Sequence, residues 1–189
     1  MSDRLGISVG FVKLKSGLFG KKPIALEIYK NGIILKYKSE DKEYLFEQIS
    51  AIKTFNYLAP NPINYDFDIF NSSGEKLASV AVPYEQGEIG TALLKAHRDF
   101  HLGDDFSKQL ADCDFKLDDY LFWQKGKLFY KSKKGVTEYL PHQIDDFVCK
   151  NGCYFFTLKS SKETIGTLLQ DAPNCLTTIA VCKAIANIS

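Results

Sequence analysis

Residues Glu43 to Ile49 read EYLFEQI and residues Glu138 to Ile144 read EYLPHQI, with five of the seven letters unchanged. One short match arises by chance among the many windows of a chain this long, so the phrase constrains the fold only if its surroundings recur in order. They do. Upstream, Tyr29-Lys30-Asn31-Gly32 answers to Trp123-Gln124-Lys125-Gly126. Each is followed by an apolar run closing on Tyr-Lys-Ser, at Tyr37-Lys38-Ser39 and Tyr130-Lys131-Ser132. Downstream, the stretch from Phe67 to Leu77 answers to the stretch from Phe155 to Ile165, with Ser72-Ser73 against Ser160-Ser161 and Glu75 against Glu163. The offset drifts only within turn-like segments, where insertions are tolerated. The chain therefore reads as an internal duplication: a first unit over 1–100, an acidic connector over 101–117 and a second unit over 118–189.

Within each copy the hydrophobic period is two, and then it changes. Ile24, Leu26 and Ile28 alternate with Ala25, Glu27 and Tyr29, which predicts a half-buried strand. Asn31-Gly32 is expected to supply the two positive-φ positions of a type I′ turn, with Ile33 to Lys38 returning as the partner strand. Further strands are predicted over 43–46, 49–57, 65–70 and 77–82, with Ala59-Pro60-Asn61-Pro62 as a break that no strand can cross. From Glu85 the apolar spacing becomes helical, through Ile89, Leu93, Ala96 and Phe100, with acids early and bases late as the helix dipole favours. The second copy follows the same plan, with strands over 120–124, 127–132, 136–140, 144–149, 153–159 and 164–169. Lys150-Asn151-Gly152 repeats the turn chemistry, and a last helix begins near Pro173 and runs through Leu176, Ile179 and Ala184. Phe106 and Leu110 hint at a short helix in the connector. Phe11 to Lys15 is a candidate extra strand, followed by the glycine-rich run Gly17 to Pro23.

Two strand-rich units, each closed by one C-terminal helix, resemble the pleckstrin-homology-like superfold, in particular its short bacterial and GRAM-type versions. The resemblance rests on element order and the repeat, since no diagnostic motif is present. The fold class it implies is mainly β with α: tandem units, each an antiparallel meander or open barrel capped by a helix. The sequence yields six strands per copy where that fold has seven. A pair of cystatin-like or other α+β meanders shares the composition and stays open at this point. Domains of the pleckstrin-homology-like kind are mostly non-catalytic modules that bind phosphoinositide head groups, peptides or proteins, or that self-associate.

Candidate chemistry is sparse. A lipid-binding domain of that family would place basic residues around its first hairpin. In the second copy Lys125, Lys127, Lys131, Lys133 and Lys134 crowd the corresponding hairpin, and Lys127, Phe129, Lys131 and Lys133 alternate onto one face. These five lysines form the candidate anion-binding site, against the plainer reading of a solvated face that keeps an edge strand from aggregating. No arginine fork accompanies them. His97 and His101 are one helical turn apart with Asp104 and Asp105 following, a weak metal pattern read as ordinary histidines. Cys149 and Cys153 flank a turn and are read as a redox-silent pair, and Cys175 and Cys182, two turns apart, as core packing. Trp123 and the phenylalanines sit at strand spacing and are read as core rather than as a base-stacking platform.

No nucleophile elbow, phosphate loop or metalloprotease signature occurs, so no catalytic residue, metal or cofactor is assigned and the chain is read as a non-enzyme. Net charge is +1 and balanced between the halves, which gives no reason to assign a nucleic-acid partner. With no run of about 18 apolar residues, no signal-peptide core after Met1-Ser2-Asp3-Arg4, and an odd cysteine count, the expected setting is the cytoplasm, any membrane contact being peripheral. The expected role is a binding or scaffolding module whose partner is a protein or another copy. The alternative is peripheral recognition of anionic phospholipid through the hairpin 125–134.

Overall fold

The computed structural model describes residues 4–14, 22–55, 64–103, 105–150, 152–169 and 172–188. It is mainly β, with four antiparallel sheets. The chain divides into two compact units, Met1–Gly103 and Asp104–Ser189. His101 and Leu102 of the acidic stretch complete the last helix of the first unit, and the rest of that stretch contributes elements to the second.

In the first unit, β1 (Ser8–Lys13), β2 (Ala25–Tyr29), β3 (Gly32–Lys36) and β4 (Asp41–Leu45) form one antiparallel meander. A single 3-10 turn, Phe46–Gln48, leads into a second meander of β5 (Ala51–Thr54), β6 (Asn64–Phe70) and β7 (Lys76–Pro83). The helix α1 (Gly87–Leu102) then packs on β1, β2 and β7, and so touches both sheets. Leu26, Ile28, Ile33, Leu35, Phe46, Ile52, Phe67 and Ile69 are fully buried with Leu93 and Leu94 of α1. Removing that apolar area from water, at roughly 25 cal/mol per Å2, is what drives the sheets and the helix together.

The second unit opens with α2 (Phe106–Gln109) and a 3-10 turn, Leu110–Asp112, and then repeats the same order. Four strands, β8 (Phe115–Lys116), β9 (Leu121–Gln124), β10 (Lys127–Ser132) and β11 (Gly135–Tyr139), precede the 3-10 turn Pro141–Gln143. Three more, β12 (Ile144–Lys150), β13 (Cys153–Leu158) and β14 (Thr164–Leu168), precede α3 (Cys175–Ile188). Asn174 caps α3, its Oδ1 accepting from the N–H groups of Leu176 at 3.0 Å and Thr177 at 3.1 Å. Trp123 is buried and donates its indole N–H to the Leu110 carbonyl at 2.7 Å.

The structure gives the repeated phrase a physical meaning. In both copies a leucine, Leu45 as the last residue of β4 and Leu140 just after β11, leads into one 3-10 turn. A glutamine there reaches back, so that the Leu45 N–H donates to Gln48 Oε1 at 2.9 Å and the Leu140 N–H to Gln143 Oε1 at 2.7 Å. Ile49 and Ile144 then plunge into the two cores, both fully buried. The match extends upstream at one constant offset, with the pairs Leu26–Leu35 and Ile28–Ile33 answered by Leu121–Tyr130 and Trp123–Leu128.

Two readings of the sequence need correction. Among the described residues each unit has seven strands rather than six. The missing first strands are β1, which starts earlier than the predicted 11–15, and the two-residue β8, too short to show a period. The first hairpin turn is Lys30-Asn31, not Asn31-Gly32, since Gly32 pairs with Tyr29 inside β3 and carries no positive φ. Gly32 is required for another reason: a Cβ there would lie 2.4 Å from the Tyr44 carbonyl oxygen and 2.8 Å from Leu5. The type I′ geometry occurs in the second unit, where Lys125 and Gly126 take φ of 48° and 75°. Tyr29 therefore corresponds to Gln124 rather than to Trp123, and Tyr130-Lys131 corresponds to Leu35-Lys36 rather than to Tyr37-Lys38. The predicted proline break at 59–62, most of the glycine-rich run, and Asn151 lie outside the described residues.

Candidate functional site

The candidate lysines do not act as one cluster. Lys125 sits at the β9–β10 turn with its N–H donated to Asp114 Oδ1 at 3.2 Å. Lys127 begins β10 and forms an ion pair with Glu138 across the strands at 2.8 Å. On that same solvent face Phe122 and Phe129 stack in parallel, their centroids 5.1 Å apart. Lys131, Lys133 and Lys134 stand at the opposite end of β10. No ion pair among the described residues involves them.

Those three lysines border an open groove of about 1020 Å3 between the two sheets of the second unit. Its walls include Tyr120, Tyr130, Tyr139, Thr137, Glu163 and Ile165. Burial, and then the neighbouring Glu163 and Tyr130, keep the Tyr139 phenol protonated above its ordinary range. The first unit is built differently at the matching positions. Lys36, which corresponds to Lys131, is bound to Glu27 at 2.7 Å, and Leu35, which corresponds to Tyr130, is fully buried. The structure thus keeps Lys131, Lys133 and Lys134 of the predicted set together and separates Lys125 and Lys127 from them.

A second feature lies in the first unit, on β1. Among the described residues this strand is at the end of its sheet, bonded to β2 alone. Antiparallel residues alternately exchange hydrogen bonds with the neighbour and turn their N–H and C=O away. Leu14 donates to the Ile24 carbonyl at 2.8 Å, which puts Val12 and Leu14 in the bonded class; Phe11 and Lys13 therefore present their backbone groups outward. Side chains agree with this division. Val12 is buried, while Ile7, Val9 and Phe11 are 77%, 49% and 49% exposed; the register shift between Ser8, opposite Tyr29, and Gly10, opposite Ile28, puts Ile7 and Phe11 on different faces of the sheet.

Edge strands in soluble proteins are commonly blunted by charges, proline or a covering element. Lys13 is the sole charged residue of β1. Beside the edge runs a groove of about 410 Å3, walled by Phe11, Val12 and Lys13 on one side and by Glu85, Gln86, Glu88 and Ile89 at the start of α1 on the other. Of these, the sequence marks Phe11, Glu85 and Ile89 only as strand or helix formers. The alternation Ile7-x-Val9-x-Phe11 was the available signal, but a strand apolar on both faces does not say which face stays wet.

The remaining candidates are structural. His97 is 3% exposed, and its Nε2 and that of His101 lie 3.0 and 3.1 Å from one acceptor, the Ile49 carbonyl oxygen. Burial pulls His97 down to about 4 against the raising effect of that hydrogen bond, so it is neutral at pH 7 and donates from Nε2. Among the described residues no group of histidines, cysteines or carboxylates has metal-binding geometry. Cys149 pairs with Tyr154 and Cys153 with Lys150, which puts the two thiols on opposite faces of the hairpin. Cys175 and Cys182 are buried, with burial raising the first thiol to about 12 and the second well above its ordinary value. Asp118, also buried, accepts hydrogen bonds from the Leu121 N–H at 2.7 Å and from the Tyr154 hydroxyl. Among the described residues no helix is long and apolar enough to cross a membrane. No protein-family model matches the chain, and no curated protein matches it in sequence.

Proposed function

We propose that the protein is a non-catalytic binding module, built by duplication of a pleckstrin-homology-like unit, that takes up a protein partner by strand addition at β1. Seven strands in a four-plus-three arrangement with a C-terminal helix, given twice among the described residues, support the fold assignment. The single observation carrying the function is the β1 edge, unpaired among the described residues, with its exposed Ile7, Val9 and Phe11. Main-chain hydrogen bonds supply affinity in this recognition mode, and side chains along the edge supply selectivity. Phe11→Glu leaves the buried Val12 side intact while placing charge on the exposed apolar face of the edge. Proteins captured from a lysate of the source organism by the wild type and lost on Phe11→Glu, with unchanged circular dichroism, support the reading. Identical captured sets contradict it.

A second reading is favoured by one observation: Lys131, Lys133 and Lys134 stand without ion pairs among the described residues at the mouth of the tyrosine-lined groove. This is a geometry for an anionic head group at a membrane surface. Co-sedimentation with anionic liposomes that falls steeply with salt and vanishes in Lys131→Glu/Lys133→Glu supports it. Absence of binding at low and near-physiological salt removes it.

A further inference from the structure

Resting on the strand-addition reading, we infer that the β1 groove of the first unit takes an extended peptide in which apolar residues alternate with lysine or arginine. A strand added beside Phe11 and Lys13 exchanges backbone hydrogen bonds with them, and its side chains then point alternately to the two faces of the sheet. On one face they meet Phe11, half exposed, which selects an apolar residue. On the other they enter the groove beside α1, where Ile89 offers apolar surface below and Glu85 and Glu88 stand exposed at the rim. A lysine or arginine suits that path, because its aliphatic stem covers apolar surface while its charged head stays at the wet rim. Neither glutamate has an ion-pair partner among the described residues, and two acids against Lys13 leave the groove net acidic.

A second copy of the chain fits this groove poorly. In a two-fold pairing of β1 with β1 over its regular stretch, Gly10 to Lys13, the residues turned to the α1 side are Gly10 and Val12. Gly10 has no side chain, and Val12, at 1% exposure, is already committed to its own core. A free peptide has both faces available and can fill the groove.

The test is fluorescence anisotropy with labelled eight-residue probes of alternating valine and arginine or alternating valine and glutamate, at near-physiological salt. The expected result is saturable binding of the arginine probe and binding of the glutamate probe weaker by about tenfold or more. Glu85→Lys/Glu88→Lys, two exposed positions, reverses that order, and N-methylation of alternate backbone amides abolishes binding of the arginine probe. Equal affinity for both probes, no binding of either, or indifference to the double substitution overturns the assignment. So does a dimer in sedimentation velocity that Phe11→Glu dissolves, since the occupant is then a second copy. Partner capture sensitive to Phe11→Glu, together with failed probe binding, removes this peptide class and leaves the module reading standing. Failure of both removes both.

Discussion

His97 offers the sharpest test of how the first unit is held together. Its imidazole is neutral in the fold, held near a pKa of about 4 by burial, whereas an unfolded histidine titrates near 6.5. A lowered folded-state pKa means that the unfolded chain takes up the proton first. The associated stability is fully present above about pH 6.5 and is lost as pH falls from there toward 4. Integrating that difference gives a loss of about 2.5 kcal/mol at pH 4.5 relative to pH 7.5. His97→Gln places an amide donor toward the Ile49 carbonyl and removes the titration. Urea unfolding of both proteins at the two pH values isolates the effect, because carboxylate titrations are common to both. The wild type is expected to lose about 2.5 kcal/mol more than the variant on acidification. An equal loss in the two proteins, or an NMR titration of the His97 ring centred between pH 6 and 7, refutes the reasoning.

Three further outcomes are expected. Gln48→Ala and Gln143→Ala, which each remove the acceptor for one leucine N–H, cost about 1 kcal/mol apiece in urea unfolding, with additive effects in the double variant. Gly32→Ala drives a Cβ into the Tyr44 carbonyl and costs more than about 2 kcal/mol, whereas Gly74→Ala, at φ of 80° with nothing within 4 Å, costs about 1. Cys175 and Cys182 stay unmodified by a thiol-specific disulfide reagent in the native protein and react fully only in denaturant.

What the sequence made legible follows from what its residues do locally. The alternation at Ile24 to Tyr29 and the helical spacing from Ile89 to Phe100 gave β2 and α1 nearly to the residue, because burial on one face is written directly into the period. The phrase EYLFEQI gave more than a strand, since its glutamine and final isoleucine perform the same two tasks in each unit. Other features depend on contacts remote in sequence. Gly32 looks like a turn residue until Tyr44 and Leu5 are seen to crowd it. Lys127 looks like part of a cationic stripe until Glu138 closes on it. β8 is held by β9 through Phe115 and Lys116 alone, so it leaves no pattern to read. The β1 edge escaped because valine, phenylalanine and glycine there are equally consistent with either face being buried; only the register with β2 decides.

The central claim is that β1 is an open edge that accepts a strand, and residue-resolved amide hydrogen exchange tests it most directly. In the free protein the Phe11 and Lys13 amides are expected to exchange at close to unprotected rates while Val12, bonded to β2, is protected. With the arginine–valine probe bound, Phe11 and Lys13 become protected while the amides of Lys131, Lys133 and Lys134 keep their rates. Protection of Phe11 and Lys13 already in the free protein, or protection by the probe elsewhere but not at these two residues, contradicts the account.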